Sequence, residues 1–195
     1  HRDLHKEYRR QRQMCIRDSY MGMPNLDIVF LDFDDVDIAG HNYGFSPDVN
    51  QYINAIENVD EYIGWVIDAM ENRPMFENED WLIMITSDHG GIGYNHGGQT
   101  IEERQIPIIL SGSLISEETI PEQSYLTNMA PTLLHYFGVE NNCEWQLDGI
   151  SMGLDPNQFP GYDICPNCPS PITAEADPTT MNISLFWDER CSNEG

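Results

Sequence analysis

Lysine is absent from this chain after Lys6, and beyond position 20 the only cations among Lys and Arg are Arg73, Arg104 and Arg190. Against 33 Asp and Glu in the whole chain, nine Lys and Arg leave a net charge of −24. A surface so poor in cations argues against a nucleic-acid backbone as partner, because that contact is made by Lys and Arg. It suits solubility in a salty, extracellular setting. Long apolar runs are missing as well: none reaches the roughly 18 residues of a membrane-spanning helix. Cysteine is scarce, five in 195 residues. Cys165-Pro-Asn-Cys168 lacks the second C-x-x-C pair of a zinc ribbon and the strand-to-helix context of a redox motif. With Cys15 set aside, Cys143, Cys165, Cys168 and Cys191 read as disulfide partners in a secreted protein, with three pairings open.

The charge is also unevenly spread. Arg2, Lys6, Arg9, Arg10, Arg12 and Arg17 crowd the first twenty positions, where only Asp3, Glu7 and Asp18 are acidic. One domain rarely changes composition so abruptly, and residues 1–20 are set apart as a non-native segment. They carry no aromatic interleaving and no amphipathic period, so a basic binding arm is disfavoured. His1-Arg2-Asp3-Leu4 imitates a kinase catalytic loop, but Tyr8 stands where that loop needs Asn.

From Met21 the texture is that of an α/β domain. Leu26–Phe33 is apolar and β-branched and predicts a buried strand, with a ligand-bearing loop over 34–43. Ser46 as N-cap and Pro47 at the first helical position predict a helix running to about Met70, with one apolar face buried against a sheet. Trp81–Thr86 and Ile106–Leu110 predict two further strands, Pro107 marking an edge or a strand start. Thr127–Phe137 predicts a helix stopped by Gly138, with His135 placed in its last turn to favour the helix dipole. Beyond Leu154 the sequence turns to Pro, Asp, Asn and Cys. Met181–Trp187 then alternates like the first strand of an appended β-sandwich, and Asn182-Ile-Ser184 fits a glycosylation acceptor. The expected division is 1–20, 21–154 and 155–195.

Two short glycine-flanked clusters carry the chemistry. Asp37-Ile-Ala-Gly-His41 spaces a carboxylate and an imidazole so that both lie on one face of a helical turn, or across a tight loop. Ser87-Asp88-His89-Gly90-Gly91 follows the second strand, and His96-Gly97-Gly98 follows shortly after. Carboxylate oxygen and neutral imidazole nitrogen are the donors that a catalytic zinc, or a similar divalent ion, takes in an open site. Asp88 and His89 are adjacent and cannot both point one way from a strand, so Gly90 and Gly91 are expected to free a loop. Asp32, Asp34 and Asp35 surround the first cluster and read as solvated or as supporting groups, orienting His41 being one such role, and not as ligands. Glu102, Glu103 and Arg104 read as a charged turn with local pairs.

In order and spacing, D-x-x-x-H, S-D-H-G and H-G-G followed by Ile106-Pro107 resemble the alkaline phosphatase superfamily, most closely its type I phosphodiesterase and nucleotide pyrophosphatase branch. The resemblance runs from about Pro24 to Leu154. It implies an α/β fold, a three-layer sheet with helices on both faces, present here as the C-terminal half of a catalytic domain. It implies two divalent ions, zinc foremost: one on Asp37, His41 and His96, the other on Asp88 and His89. It implies a small phosphate-ester substrate and a Thr or Ser nucleophile that no residue here supplies, and the acidic body adds the expectation of an extracellular or periplasmic protein. The family's further strand-borne Asp is missing likewise. Thr86 and Ser87 do not cap a nucleophile-bearing helix, and Ser19 falls in the segment set apart. The chain alone is therefore expected to be inactive.

Two other readings stand beside this one. A sulfatase, from the sister class, usually binds calcium through Asp and Asn with a Lys nearby, and a body without lysine disfavours it. The other is an extracellular binding module that keeps the fold and has lost the reaction. Substrate specificity, set by loops on a shared metal core, is not legible, and neither is oligomeric state.

Overall fold

A computed structural model of the chain describes residues 21–139, 145, 147–155 and 158–159, and the strands at 173–176 and 183–186. The segment 1–20 with Cys15 and Ser19, and Cys143, Cys165, Cys168, Cys191 and Asn182, lie outside the described residues. The chain divides into two compact units, one of residues up to 80 with 87–107, the other of 81–86 with 108 onward.

The first unit is helical. α1 spans Asp35–Tyr43 and α2 spans Asn50–Glu71. Asp35 and Asp37 occupy the first turn of α1, where negative charge suits the helix dipole, and His41 stands in its last turn. Gly44, at φ 113, ends α1 in a conformation that disfavours a side chain, and its N–H donates to the Gly40 carbonyl at 2.8 Å. The expected ligand loop at 34–43 is thus a helix: the i, i+4 spacing of Asp37 and His41 is the spacing of one helical face.

α2 begins later than its Ser-Pro signal suggests. Ser46 Oγ accepts from the Asp48 N–H at 3.2 Å, making a turn of Ser46-Pro47-Asp48, and Val49 takes the N-cap position. Ala55, Tyr62 and Met70 are buried along one side of α2, whereas Ile56, on the apolar pattern, is exposed. Within this unit α2 packs on α1 and on the segment before it: Tyr62 stacks with Phe33 at 6.3 Å between ring centroids, and Phe45 meets Tyr52 edge-on at 5.7 Å.

Leu26–Phe33 forms no strand. Ile28 and Phe30 are exposed, Phe30 to 88%, and no neighbouring strand bonds this run among the described residues. Start of the unit is held by Arg73, whose guanidinium forms a bidentate pair with Glu79, 2.8 Å on each arm, and donates to the carbonyls of Met21 and Met23. One of the few cations is therefore structural.

In the second unit β1 (Ile83–Thr86) pairs antiparallel with β2 (Ile108–Ser111), in a register that sets Ile83 opposite Ser111 and Thr86 opposite Ile108. Pro107 sits just before β2, where its missing N–H breaks no ladder bond. Between the two strands in sequence lies a short helix of the first unit, α3 (Ile101–Arg104). α4 spans Met129–Tyr136 after a 3-10 turn at Leu126–Asn128. Its buried centre is polar as well as apolar: Thr132 Oγ donates to the Asn128 carbonyl and accepts from the Met152 N–H, with Pro131 and Met152 closed from solvent around it. Leu154 is buried and bridges Ile115. The tail hairpin pairs β3 (Thr173–Ala176) with β4 (Ile183–Phe186), also antiparallel. Helices and small sheets are thus mixed along the chain, as in an α/β protein.

His135 departs from its expected role. A dipole-stabilising histidine must be charged, but burial pushes this imidazole below its ordinary value of 6.5, the Phe159 carbonyl pulling weakly the other way. Nε2 donates to that carbonyl at 3.1 Å, which leaves Nδ1 to accept from Ser151 Oγ at 2.8 Å. As pH falls the unfolded chain takes up this proton first. The stabilisation by neutral His135 is therefore complete above 6.5 and is lost as pH drops through that value toward the lowered folded one. The thermal midpoint should fall between about pH 7 and about pH 5.5, and less steeply in His135→Gln. Equal slopes for the two proteins would refute this.

Candidate metal centre

All five ligands expected from the motifs belong to the first unit. α1 presents Asp37 and His41 one turn apart, and the loop after Gly91 brings His96 to them. Donor atoms of Asp37, His41 and His96 lie within 4.8 Å of one another. His41 Nε2 stands 3.4 Å from Asp37 Oδ1, and His96 Nε2 stands 3.5 Å from the same oxygen.

The protonation of His41 follows from its other nitrogen. Nδ1 lies 2.8 Å from the Tyr94 carbonyl. A carbonyl only accepts, so Nδ1 carries a proton, and in the neutral imidazole the lone pair is then on Nε2, facing Asp37. Asp37 Oδ1 is itself buried and receives no hydrogen bond among the described residues. Two acceptors thus face each other across 3.4 Å with nothing between them to share. A divalent cation is what such an arrangement of carboxylate and imidazole donors fits. Its field is felt nearby: Tyr52 has its phenol pushed above the ordinary value, by burial first and by Asp37's charge second.

Asp88 and His89 are arranged differently. His89 Nδ1 donates to the Gly90 carbonyl at 2.8 Å, which frees Nε2 as a ligand atom 3.6 Å from Asp88 Oδ2. The Asp88 side chain is 82% exposed. Neither joins the Asp37 cluster, and the His89 ring instead stacks on His96, centroids 3.6 Å apart and planes 18° from parallel. Ser87 Oγ closes the turn by donating to the His89 carbonyl at 2.5 Å. That bond uses the hydroxyl proton locally.

The glycines of this loop serve close approach. A Cβ on Gly91 would lie 2.4 Å from the Phe45 ring, and one on Gly40 would lie 2.2 Å from it. Phe45 is thus wedged between α1 and the Asp88 loop, edge-on to both His41 and His96. Neither Gly90 nor Gly91 has a positive φ, so the expected backbone freedom is not what they provide.

Two positioning groups were not foreseen. The orienter of His41 is the Tyr94 backbone carbonyl, a role for which Asp32, Asp34 and Asp35 were candidates. The other is Glu103, read as part of a charged turn but in fact buried. Its carboxylate accepts from the N–H groups of Gly98 (2.8 Å) and Thr100 (3.1 Å) and from the Thr100 hydroxyl (2.9 Å). Those bonds, Gly98's first, hold its acid below the usual carboxylate value. Thr100-x-x-Glu103 is a capping box, a pattern visible in sequence.

The sequence model of a family described as the metalloenzyme superfamily matches residues 3–141. The chain belongs to that superfamily. Among curated proteins it is similar to the 2,3-bisphosphoglycerate-independent phosphoglycerate mutase of Mesomycoplasma hyopneumoniae (strain 7448). Identity there is 28% over 130 residues, 65% of this chain and 23% of the relative. The protein of the same name from Staphylococcus aureus (strain Mu50) is 31% identical over 121 residues, 60% of this chain and 21% of the relative. The chain spans under a quarter of the length of these relatives. Both are mutases by name, a different branch from the phosphodiesterases that the motifs resemble. No solved structure matches the chain.

Proposed function

We propose that the protein is a metal-dependent phosphoryl-transfer enzyme acting on a small phosphate ester, and that its reaction is hydrolysis of a phosphodiester, nucleotide pyrophosphate or phosphomonoester. The observation that carries this is the buried Asp37 Oδ1, facing the Nε2 atoms of His41 and His96 with no hydrogen bond of its own. These three residues hold a first divalent ion, zinc by the preference of a two-histidine, one-carboxylate set. Asp88 and His89 contribute to a second. The exposed Asp88 makes that site incomplete here, and its remaining ligand and the Thr or Ser nucleophile come from sequence outside residues 21–154. Family membership supports the wider reading, a three-layer α/β catalytic domain with helices on both faces of its sheet. An extracellular location is part of the proposal and rests on the acid-rich, lysine-free body.

Divalent ions supply charge neutralisation of the phosphoryl oxygens and acidify an attacking hydroxyl. The chain's own residues prepare that site. Tyr94 keeps the His41 proton on Nδ1 and its lone pair on the ligand side. Gly90 does the same for His89 through its carbonyl. Phe45, in close approach to Gly40 and Gly91, packs its ring edge-on against both His41 and His96.

Phosphoryl transfer within one substrate is the second reading, favoured by the mutase relatives. The deciding experiment strips the full-length protein with chelator and restores zinc or manganese. It then assays a chromogenic phosphodiester, a phosphomonoester, a sulfate ester and phosphoglycerate isomerisation. Metal-dependent turnover of a phosphate ester is expected. Isomerisation alone would establish the mutase reading, and sulfate-ester turnover alone would overturn both.

A further inference from the structure

We infer that Glu103 is a positioning residue of the metal centre, a clamp that fixes the His96 loop against the Asp88-His89 loop without touching an ion itself. The inference rests on the metal reading above.

Glu103 holds both loops, each by a different part of the residue. Its carboxylate takes the Gly98 N–H, two residues beyond His96, together with both donors of Thr100. Its backbone carbonyl takes the Gly90 N–H, one residue beyond His89, at 2.8 Å. The stack of His89 on His96 at 3.6 Å lies between these two attachments.

A capping box alone does not account for this. The box involves Thr100 and Glu103 and serves a helix of four residues. The bonds to Gly98 and Gly90 lie outside it and lead to the two histidine loops. Nor does Glu103 fall among the grouped donors, which are Asp37, His41 and His96. Its flanking Glu102 and Arg104 are exposed while it is buried, and a carboxylate is buried only where donors meet it. The His96 loop needs an outside anchor. Gly97 sits at φ 97 and Gly98 follows, so the backbone there has few constraints of its own. A Cβ on Gly98 would lie 2.4 Å from Glu103 Oε2, which shows how closely the carboxylate approaches that strand of chain.

The test is a double-mutant cycle on the full 195-residue chain, read as zinc affinity by competition with a chromophoric chelator. Glu103→Gln keeps the shape but turns an N–H donor toward N–H donors. It should weaken zinc about 10–100-fold, the usual cost of losing a partner that orients a ligand. In a His96→Ala background the same change should cost nothing more, because the clamp acts through His96. Thr100→Val should give part of the loss and Thr100→Ser should restore wild-type affinity, which keeps the test open if Glu103→Gln fails to fold. An affinity within about twofold of wild type, or an equal penalty with and without His96, would overturn the clamp and leave the metal reading intact. Absence of zinc binding by the wild-type chain would sink the metal reading, and the clamp with it.

Discussion

Replacing Asp37 by Asn is expected to abolish divalent-ion binding while leaving the metal-free protein as stable as before, or more so. The carboxylate is the one group shared by both histidines, 3.4 Å from His41 Nε2 and 3.5 Å from His96 Nε2. An amide of the same shape removes the charge that draws the ion in. The loss should exceed the roughly 10–100-fold that follows from disturbing an outer partner. Stability should move the other way. Oδ1 is buried without a hydrogen bond, so in the metal-free protein that oxygen has no donor to satisfy it. Asn offers a neutral atom there, and its N–H₂ can donate to His41 Nε2. Calorimetric titration and a melting curve of the stripped protein read the two effects separately. A marked drop in melting temperature without metal would mean that Asp37 is structural.

The second large effect is expected at Gly90. A methyl there would come within 2.0 Å of the Glu102 carbonyl oxygen and 3.1 Å of that of Gln105. Backbone oxygens cannot rotate away, so the loop must move and the Gly90 N–H to Glu103 bond must go with it. Overpacking of this kind, with a lost hydrogen bond, costs about 3 kcal/mol or more. Gly90→Ala should lower the melting temperature by about 10 °C and separate His89 from His96. The same change at Gly64 provides the control. That position lies inside α2 with nothing within 4 Å of an added Cβ, so Gly64→Ala should stabilise by roughly 0.5–1 kcal/mol. Similar melting temperatures for the two variants would contradict the close approach at residue 90.

The parts of this structure that the sequence makes legible are those with a local cause. β2 begins just after Pro107, because proline withholds its donor from a ladder. α4 stops ahead of Gly138, at φ 66, a glycine conformation. The i, i+4 spacing of Asp37 and His41 is a geometric statement about one helix face. What was misread depends on partners that a single segment does not contain. Leu26–Phe33 has the composition of a strand, but a strand needs a neighbour to take its hydrogen bonds, and none is paired with it among the described residues. The orienter of His41 is a backbone carbonyl, which every residue owns and no motif marks. Glu103 differs, for its Thr-x-x-Glu signature was readable. Its placement between two exposed charged neighbours, Glu102 and Arg104, gave it the look of a solvated charge.

The central claim is that Asp37, His41 and His96 hold one divalent ion. Anomalous scattering at the zinc edge, from crystals of the protein grown with zinc, tests it most directly. The account predicts one peak about 2.0–2.2 Å from Asp37 Oδ1 and from the Nε2 atoms of His41 and His96. In the same map His41 Nδ1 should still reach the Tyr94 carbonyl. A peak held by other residues, or none at these three under saturating zinc, would contradict it.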